Sequence, residues 1–177
     1  MSESRPLVVK VGGGLLTTEG LDGLRRGCAE ALGLARERPV LVVPGGGPFA
    51  DAVRELDAQV GLGDDVAHAL ALRAMDQLGV LLSPMLPGAE LLRRLVAPRS
   101  LGLLVAASAF ALRPDVPESW DVTSDSLAVL AAGAIGAAET ILLKPVDGAA
   151  VDLYLPEAVR RTGVCVTVRS PGLWRLR

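Results

Sequence analysis

The chain has 177 residues, half of them hydrophobic, with a formal net charge of -2 and no long run of one sign. A length of this order fits one domain with a sizeable core, and the balanced charge argues against nucleic acid or a polybasic membrane surface as the main partner. The apolar content is mostly Ala, Leu and Val, with only five aromatics, which favours helices packed closely on a sheet over an aromatic-rich binding face.

In chain order, residues 1–6 are polar and show no secretory signal. Residues 7–11 read as a short apolar strand that runs into Gly12-Gly13-Gly14. Residues 21–36 are helix-like, weakened by Gly23, Gly27 and Gly33. A second strand, 40–43, ends in Pro44-Gly45-Gly46-Gly47-Pro48, and a helix follows from Phe49 to about Gln59. Asp64-Asp65 opens another helix, with Val66, Leu70, Ala74 and Leu78 recurring every four residues as a buried stripe should, and Gly79 is expected to end it. Residues 89–96 suggest a short helix between prolines, 101–107 a strand, and 113–119 a loop.

Trp120-Asp121-Val122-Thr123-Ser124-Asp125 then leads into an alanine-rich helix expected to reach about Ala138. The apolar stretch 127–143 carries Glu139 and two glycines, so it reads as a buried helix followed by a strand at 141–143, not as a membrane span. A short helix at 156–161 and a strand at 164–168 complete the chain. Strands alternating with helices predict an α/β fold, a three-layer αβα sandwich around a mostly parallel sheet, in a single domain covering 1–177. Cys28 and Cys165 form no ligand or redox pair and read as reduced thiols of a cytoplasmic protein.

Only two of the eighteen basic residues are lysines. Lys10 lies at the end of the first strand and Lys144 just after 141–143, and each is followed by a glycine-bearing turn. A lysine is a compact point charge, whereas arginine is a planar fork. In an open parallel sheet, ligands bind at the carboxyl ends of the strands. Three segments fall there: Gly12 to Gly14, Gly45 to Gly47, and Lys144 to Gly148. Glycine lets backbone amides approach an anion, and a following helix N-terminus adds a favourable dipole. Two such loops suggest two phosphate-bearing groups; the alternative is a pair of tight turns. The P-loop pattern is absent, and Gly45-x-Gly47-x-x-Ala50 lacks the acidic strand end that a dinucleotide site needs.

The ordered set of motifs is more specific than any one of them. Val8-Val9-Lys10-Val11-Gly12-Gly13-Gly14, Val42 to Asp51, Thr123-Ser124-Asp125-Ser126-Leu127-Ala128 and Lys144-Pro145-Val146-Asp147-Gly148 resemble, in order, four segments of the amino acid kinase family. Pro44, the run from Phe49 to Arg54, His68, Met75-Asp76-Gln77 and the segment 120–125 are similar to its small furan phosphate kinase branch, which converts an aminomethylfuran methyl phosphate to its diphosphate in methanofuran-type cofactor synthesis.

This resemblance implies an ATP-dependent kinase that uses Mg2+, acts on a small phosphorylated metabolite and forms homo-oligomers. Uridylate or another small metabolite is the alternative substrate, and a non-catalytic nucleotide or oxyanion binder on the same fold is the alternative class. The implied catalytic residues are Lys10, Asp125 and Lys144. Gly12, Gly13, Gly14, Thr123, Ser124, Asp147 and Gly148 would bind phosphate or nucleotide, and Gly45, Gly46, Gly47, Arg54 and His68 would bind the acceptor. No carboxylate cage for a metal is visible. Arg54 could equally pair with Asp51 or Glu55, His68 with Asp64, and Thr123, Ser124 or Asp125 could serve only as a helix cap. Family members usually extend well beyond the V-D-G segment, so the nucleotide-binding part is expected to be shortened here and the source of the second catalytic cation is left open.

Overall fold

The apolar runs form six strands of one sheet: β1 (Leu7–Val11), β2 (Val40–Pro44), β3 (Glu90–Leu92), β4 (Leu101–Leu104), β5 (Glu139–Leu143) and β6 (Cys165–Arg169). The computed structural model describes residues 5–111, 113–146 and 149–172. The strand order is β3-β4-β2-β1-β5-β6, and all five neighbouring pairs are parallel. Parallel neighbours require crossovers, which are supplied by α1 (Gly13–Leu34), α2 (Gly47–Val60), α3 (Asp64–Leu82), α4 (Ala106–Phe110), α5 (Ser124–Ala134) and α6 (Leu155–Thr162). Among the described residues no helix is long and apolar enough to cross a membrane.

Strand pleating divides the core into two layers. Leu7, Val9 and Val11 of β1 pack with Leu15 and Leu24 of α1 and Leu78 and Leu82 of α3. Val8, Leu41, Val43 and Leu142 face the other way, against Leu127, Val129 and Leu130 of α5. β1, β2 and β4 are buried along their whole length, which is why they read as continuous apolar runs. Each fully buried Leu or Val contributes roughly 1.5–3 kcal/mol relative to exposure.

Several boundaries depart from the sequence expectation. α1 starts at Gly13 rather than Leu21 and absorbs a kink at Gly20, whose φ of 64° only glycine adopts readily. α3 runs on through Gly79 to Leu82; the glycine lies against the Pro44 ring at the end of β2, where a Cβ would make an ordinary contact at 3.6 Å. The expected helix at 89–96 is instead the edge strand β3, paired with β4. There Leu92 packs over Gly102, where a Cβ would meet its Cδ1 at 2.7 Å. The strand expected over 101–107 stops at Leu104 and α4 begins at Ala106, while α5 stops at Ala134, short of Ala138.

The crossover from β1 leads to β2 on one side, and that from β5 leads to β6 on the other. The crevice at such a reversal, beyond the carboxyl ends of the strands, is where open parallel sheets bind ligands.

Candidate functional site

The pleat places both lysines on one face. Val8 faces α5, so Lys10, two residues on, does too; Lys10 is in register with Leu142 of β5, which also faces α5. Lys144 is the next position on that face. The first turn of α5 delivers Asp125 between them. Lys10 Nζ lies 2.8 Å from Asp125 Oδ1, and Lys144 Nζ donates to Asp125 Oδ2 at 2.7 Å and also to the carbonyl of Ala150. One carboxylate thus holds two ammonium groups, and all three residues are at most 9% exposed.

Burial acts against both charge types here. It pushes the Lys10 ammonium below the usual lysine range, with the Asp125 carboxylate opposing the fall. For Asp125, burial alone would raise the carboxyl, but the charges and hydrogen bonds of Lys10 and Lys144 outweigh it and hold the group below its ordinary value. Two ammoniums on one carboxylate leave these three residues an excess of positive charge, partly offset by Asp152 on the same cleft, and burial strengthens hydrogen bonds to a bound anion.

The two glycine loops touch through their backbones. A Cβ on Gly13 would sit 2.1 Å from the nitrogen of Gly47, and one on Gly45 would sit 2.5 Å from the nitrogen of Gly13. The amides of Gly12 and Gly45 are taken by the carbonyls of Leu143 and Val11, at 3.0 and 2.9 Å. Gly13, Gly14, Gly46 and Gly47, at the starts of α1 and α2, line the cleft. Neither helix has a side-chain cap or an acidic residue in its first turn. First-turn amides have no acceptor within the helix, so these two N-termini present donors and dipoles to an anion.

The cleft occupies about 430 Å³. Lys10, Gly13, Gly14, Asp125 and Lys144 line one end. Toward α2 and α3 it is bordered by Asp51, Arg54, His68, Met75 and Trp120. The Arg54 guanidinium lies 4.8 Å from the centroid of the Trp120 ring and bonds Asp51 at 3.0 Å. Trp120 Nε1 donates to Asp57 at 2.8 Å, which fixes the indole as a wall. His68 is half-buried, and burial lowers its pKa against the opposing effect of Glu118.

The family model for the amino acid kinase family matches residues 5–149. The chain belongs to the amino acid kinase family. It is 29% identical over 117 residues to the [5-(aminomethyl)furan-3-yl]methyl phosphate kinase of Methanocaldococcus jannaschii; the match covers 63% of this chain and 54% of that protein. The chain thus spans about half the length of that curated relative. The fold is shared with a uridylate kinase from Archaeoglobus fulgidus (TM-score 0.71, 17% identity, 93% of this chain and 90% of the other). It is also shared with a UMP kinase from Ureaplasma parvum (TM-score 0.71, 12% identity, 94% and 90%).

On this amino acid kinase fold, Lys10, Asp125 and Lys144 meet directly, and Gly13, Gly14, Gly46, Gly47, Arg54, His68, Thr123 and Ser124 line the same cleft. Gly12 and Gly45 stand behind it, holding the loops together. The Thr123 hydroxyl donates to Asp152 at 2.8 Å. Asp147 and Gly148 lie outside the described residues. Sequence reasoning missed Thr17, Trp120 as a cleft wall, and above all Asp152. The Asp152 carboxylate accepts from Thr123 N at 2.8 Å, Ser126 N at 3.0 Å and the Ser126 hydroxyl. It is 26 to 29 residues from these partners in the chain, and no local spacing betrays the contact.

Proposed function

We propose that this chain transfers the terminal phosphoryl group of ATP to an oxygen of a small phosphomonoester, giving ADP and a diphosphate. The acceptor we favour is [5-(aminomethyl)furan-3-yl]methyl phosphate, in line with the relative from M. jannaschii. The observation that carries the reading is the pair of lysines held on one buried carboxylate between two uncapped, glycine-opened helix N-termini. Phosphoryl transfer asks mainly for positioning and neutralisation of charge on the moving group, and this cluster supplies both.

The carboxylates of the cleft are engaged elsewhere, which suits an acceptor that needs no carboxylate base. An alcohol would need a base to take its proton. Asp125 is occupied by two ammoniums, and Asp152 accepts four hydrogen bonds. Asp51 is exposed and paired with Arg54. An acceptor that is already an oxyanion needs no base. Its oxygen attacks the terminal phosphorus, the bond from that phosphorus to the bridging oxygen breaks, and the electron pair leaves with ADP.

Lys10 lies where the transferring group would be neutralised, and Lys144 supplies the second cation. The amides of Gly13 and Gly14 would hold the nucleotide phosphates, while Gly46, Gly47 and Arg54 would hold the acceptor phosphate. Among the described residues no group of three or more His, Cys, Asp or Glu side chains is placed to hold a metal ion. Mg2+ fits as an ion carried on the nucleotide phosphates rather than in a protein cage; when bound it would neutralise phosphate charge. The test is 31P NMR of ATP and a phosphomonoester with the protein. A diphosphate signal growing with ADP supports the reading, and unchanged ATP with every phosphomonoester tried refutes it.

A further inference from the structure

Asp152 has no part in the contacts expected of phosphate binding, yet its carboxylate is the most heavily bonded among the described residues. Its four donors are the backbone amide and hydroxyl of both Thr123 and Ser126, which lie on either side of Asp125. A helix cap needs one or two amide bonds, and α5 has a residue of the right kind in Thr123. Thr123 does cap the helix, its hydroxyl oxygen accepting from Asp125 N at 3.4 Å, and the same hydroxyl donates to Asp152 at 2.8 Å. The start of α5 is therefore held twice, by its own cap and from outside by the segment that follows β5. Tyr154 N, bonding Asp121 O at 3.1 Å, extends the same seam.

That segment also carries the Ala150 carbonyl that receives Lys144 Nζ. A closed circuit results. Lys144 bonds Asp125; Asp125 is one residue from Ser126; Ser126 bonds Asp152; and Asp152 is two residues from Ala150, which bonds Lys144. Displacing the segment would move a partner of Lys144 and the helix turn bearing Asp125 together.

We propose that Asp152 is a positioning residue for the two-lysine cluster: by tying the segment after β5 to the first turn of α5, it fixes where Lys144 and Asp125 meet. The assignment rests on the phosphoryl-transfer reading only for its catalytic consequence, and its structural content stands apart from it. The negative charge of Asp152 also favours the protonated form of Lys10, so the residue supports the cluster by charge as well as by geometry.

The sequence provides an unusually clean assay. Lys10 and Lys144 are the only lysines, so lysine labelled with 15N at Nζ gives two ammonium signals in the full chain, assigned with Lys144→Arg. In Asp152→Ala the Lys144 signal is expected to shift and its protons to exchange faster by about tenfold or more, as when a local closed state is lost. With ATP and acceptor, kcat should fall on the order of ten- to hundredfold through misplacement, while KM for the acceptor holds. The alkaline limb of kcat should move to lower pH, because Lys10 loses a favourable charge. Asp152→Asn, which keeps the shape and one acceptor oxygen, should show the same changes to a smaller extent and covers the case in which Asp152→Ala does not fold. If both ammonium signals stay as in the native chain while the melting temperature falls, Asp152 is only a structural cap and the proposal is wrong. If the native chain releases no ADP, phosphoryl transfer fails, and the ammonium signals still decide the role of Asp152.

Discussion

Asp125→Asn is the most informative single perturbation of the cluster. The replacement keeps the shape of the side chain but offers one acceptor oxygen and one amide group that only donates. One of the two lysines then keeps a partner, and the other faces a donor. Lys10 and Lys144 are 5% and 9% exposed, so the orphaned ammonium cannot regain its full hydration. Removing one partner of a buried ion pair costs about 3–5 kcal/mol, and each kcal/mol lowers the melting temperature of a chain this size by about 2–4 °C, giving a fall of about 6–20 °C at pH 7.

The pH dependence of that gap carries a sign. The native carboxyl titrates below its ordinary value, so its stabilisation is complete above the unfolded pKa and is lost as pH falls through the folded one. The gap between variant and native chain should therefore close in acid. It should also narrow in alkali, where the unpartnered lysine sheds its proton and its burial no longer opposes folding. Thermal melts by circular dichroism across the pH range measure both limbs. A variant that melts within about 2 °C of the native chain at pH 7, less than one kcal/mol, would refute the claim that the two buried lysines depend on this carboxylate.

Three further outcomes follow from particular contacts. Gly13→Ala places a Cβ 2.1 Å from the Gly47 nitrogen, whereas at Gly14 the nearest atoms belong to the Pro145 ring at 3.4 Å; the first variant should lose both stability and nucleotide affinity by calorimetry, and the second should melt like the native chain. Arg54→Ala removes the guanidinium over Trp120 and should raise KM for the phosphorylated acceptor about tenfold while leaving KM for ATP within about twofold, the pattern of lost ground-state binding. With a thiol reagent at pH 8, exposed Cys165 should react quickly, while Cys28, which is buried and whose thiol is pushed up to about 12 by burial, should react only on unfolding.

Much of the fold was legible in the sequence because strands buried on both faces must be nearly continuous apolar runs, as 7–11, 40–43 and 141–143 are. What misled were glycines and leucines whose meaning depends on neighbours far along the chain. Gly79 looks like a helix stop, yet α3 runs through it to Leu82, and the leucines of 89–96 suit a helix until β4 offers an edge. The glycines after Lys10 hid the first turn of α1, since the same residues make a turn, a close backbone approach and a helix start. In the site, Lys10, Asp125 and Lys144 were readable as motif residues, but their meeting on one carboxylate follows from strand register and pleat. Asp152 was invisible because Thr123 and Ser124 already look like an adequate cap for α5.

The most direct test is 31P NMR of ATP, Mg2+ and [5-(aminomethyl)furan-3-yl]methyl phosphate, with the native chain beside Lys10→Ala. Phosphoryl transfer through the two-lysine cluster predicts a diphosphate product and ADP in equal amounts from the native chain, with the rate at least about a hundredfold lower in the variant, as when a charge-stabilising donor is removed. Equal rates in the two proteins would contradict it.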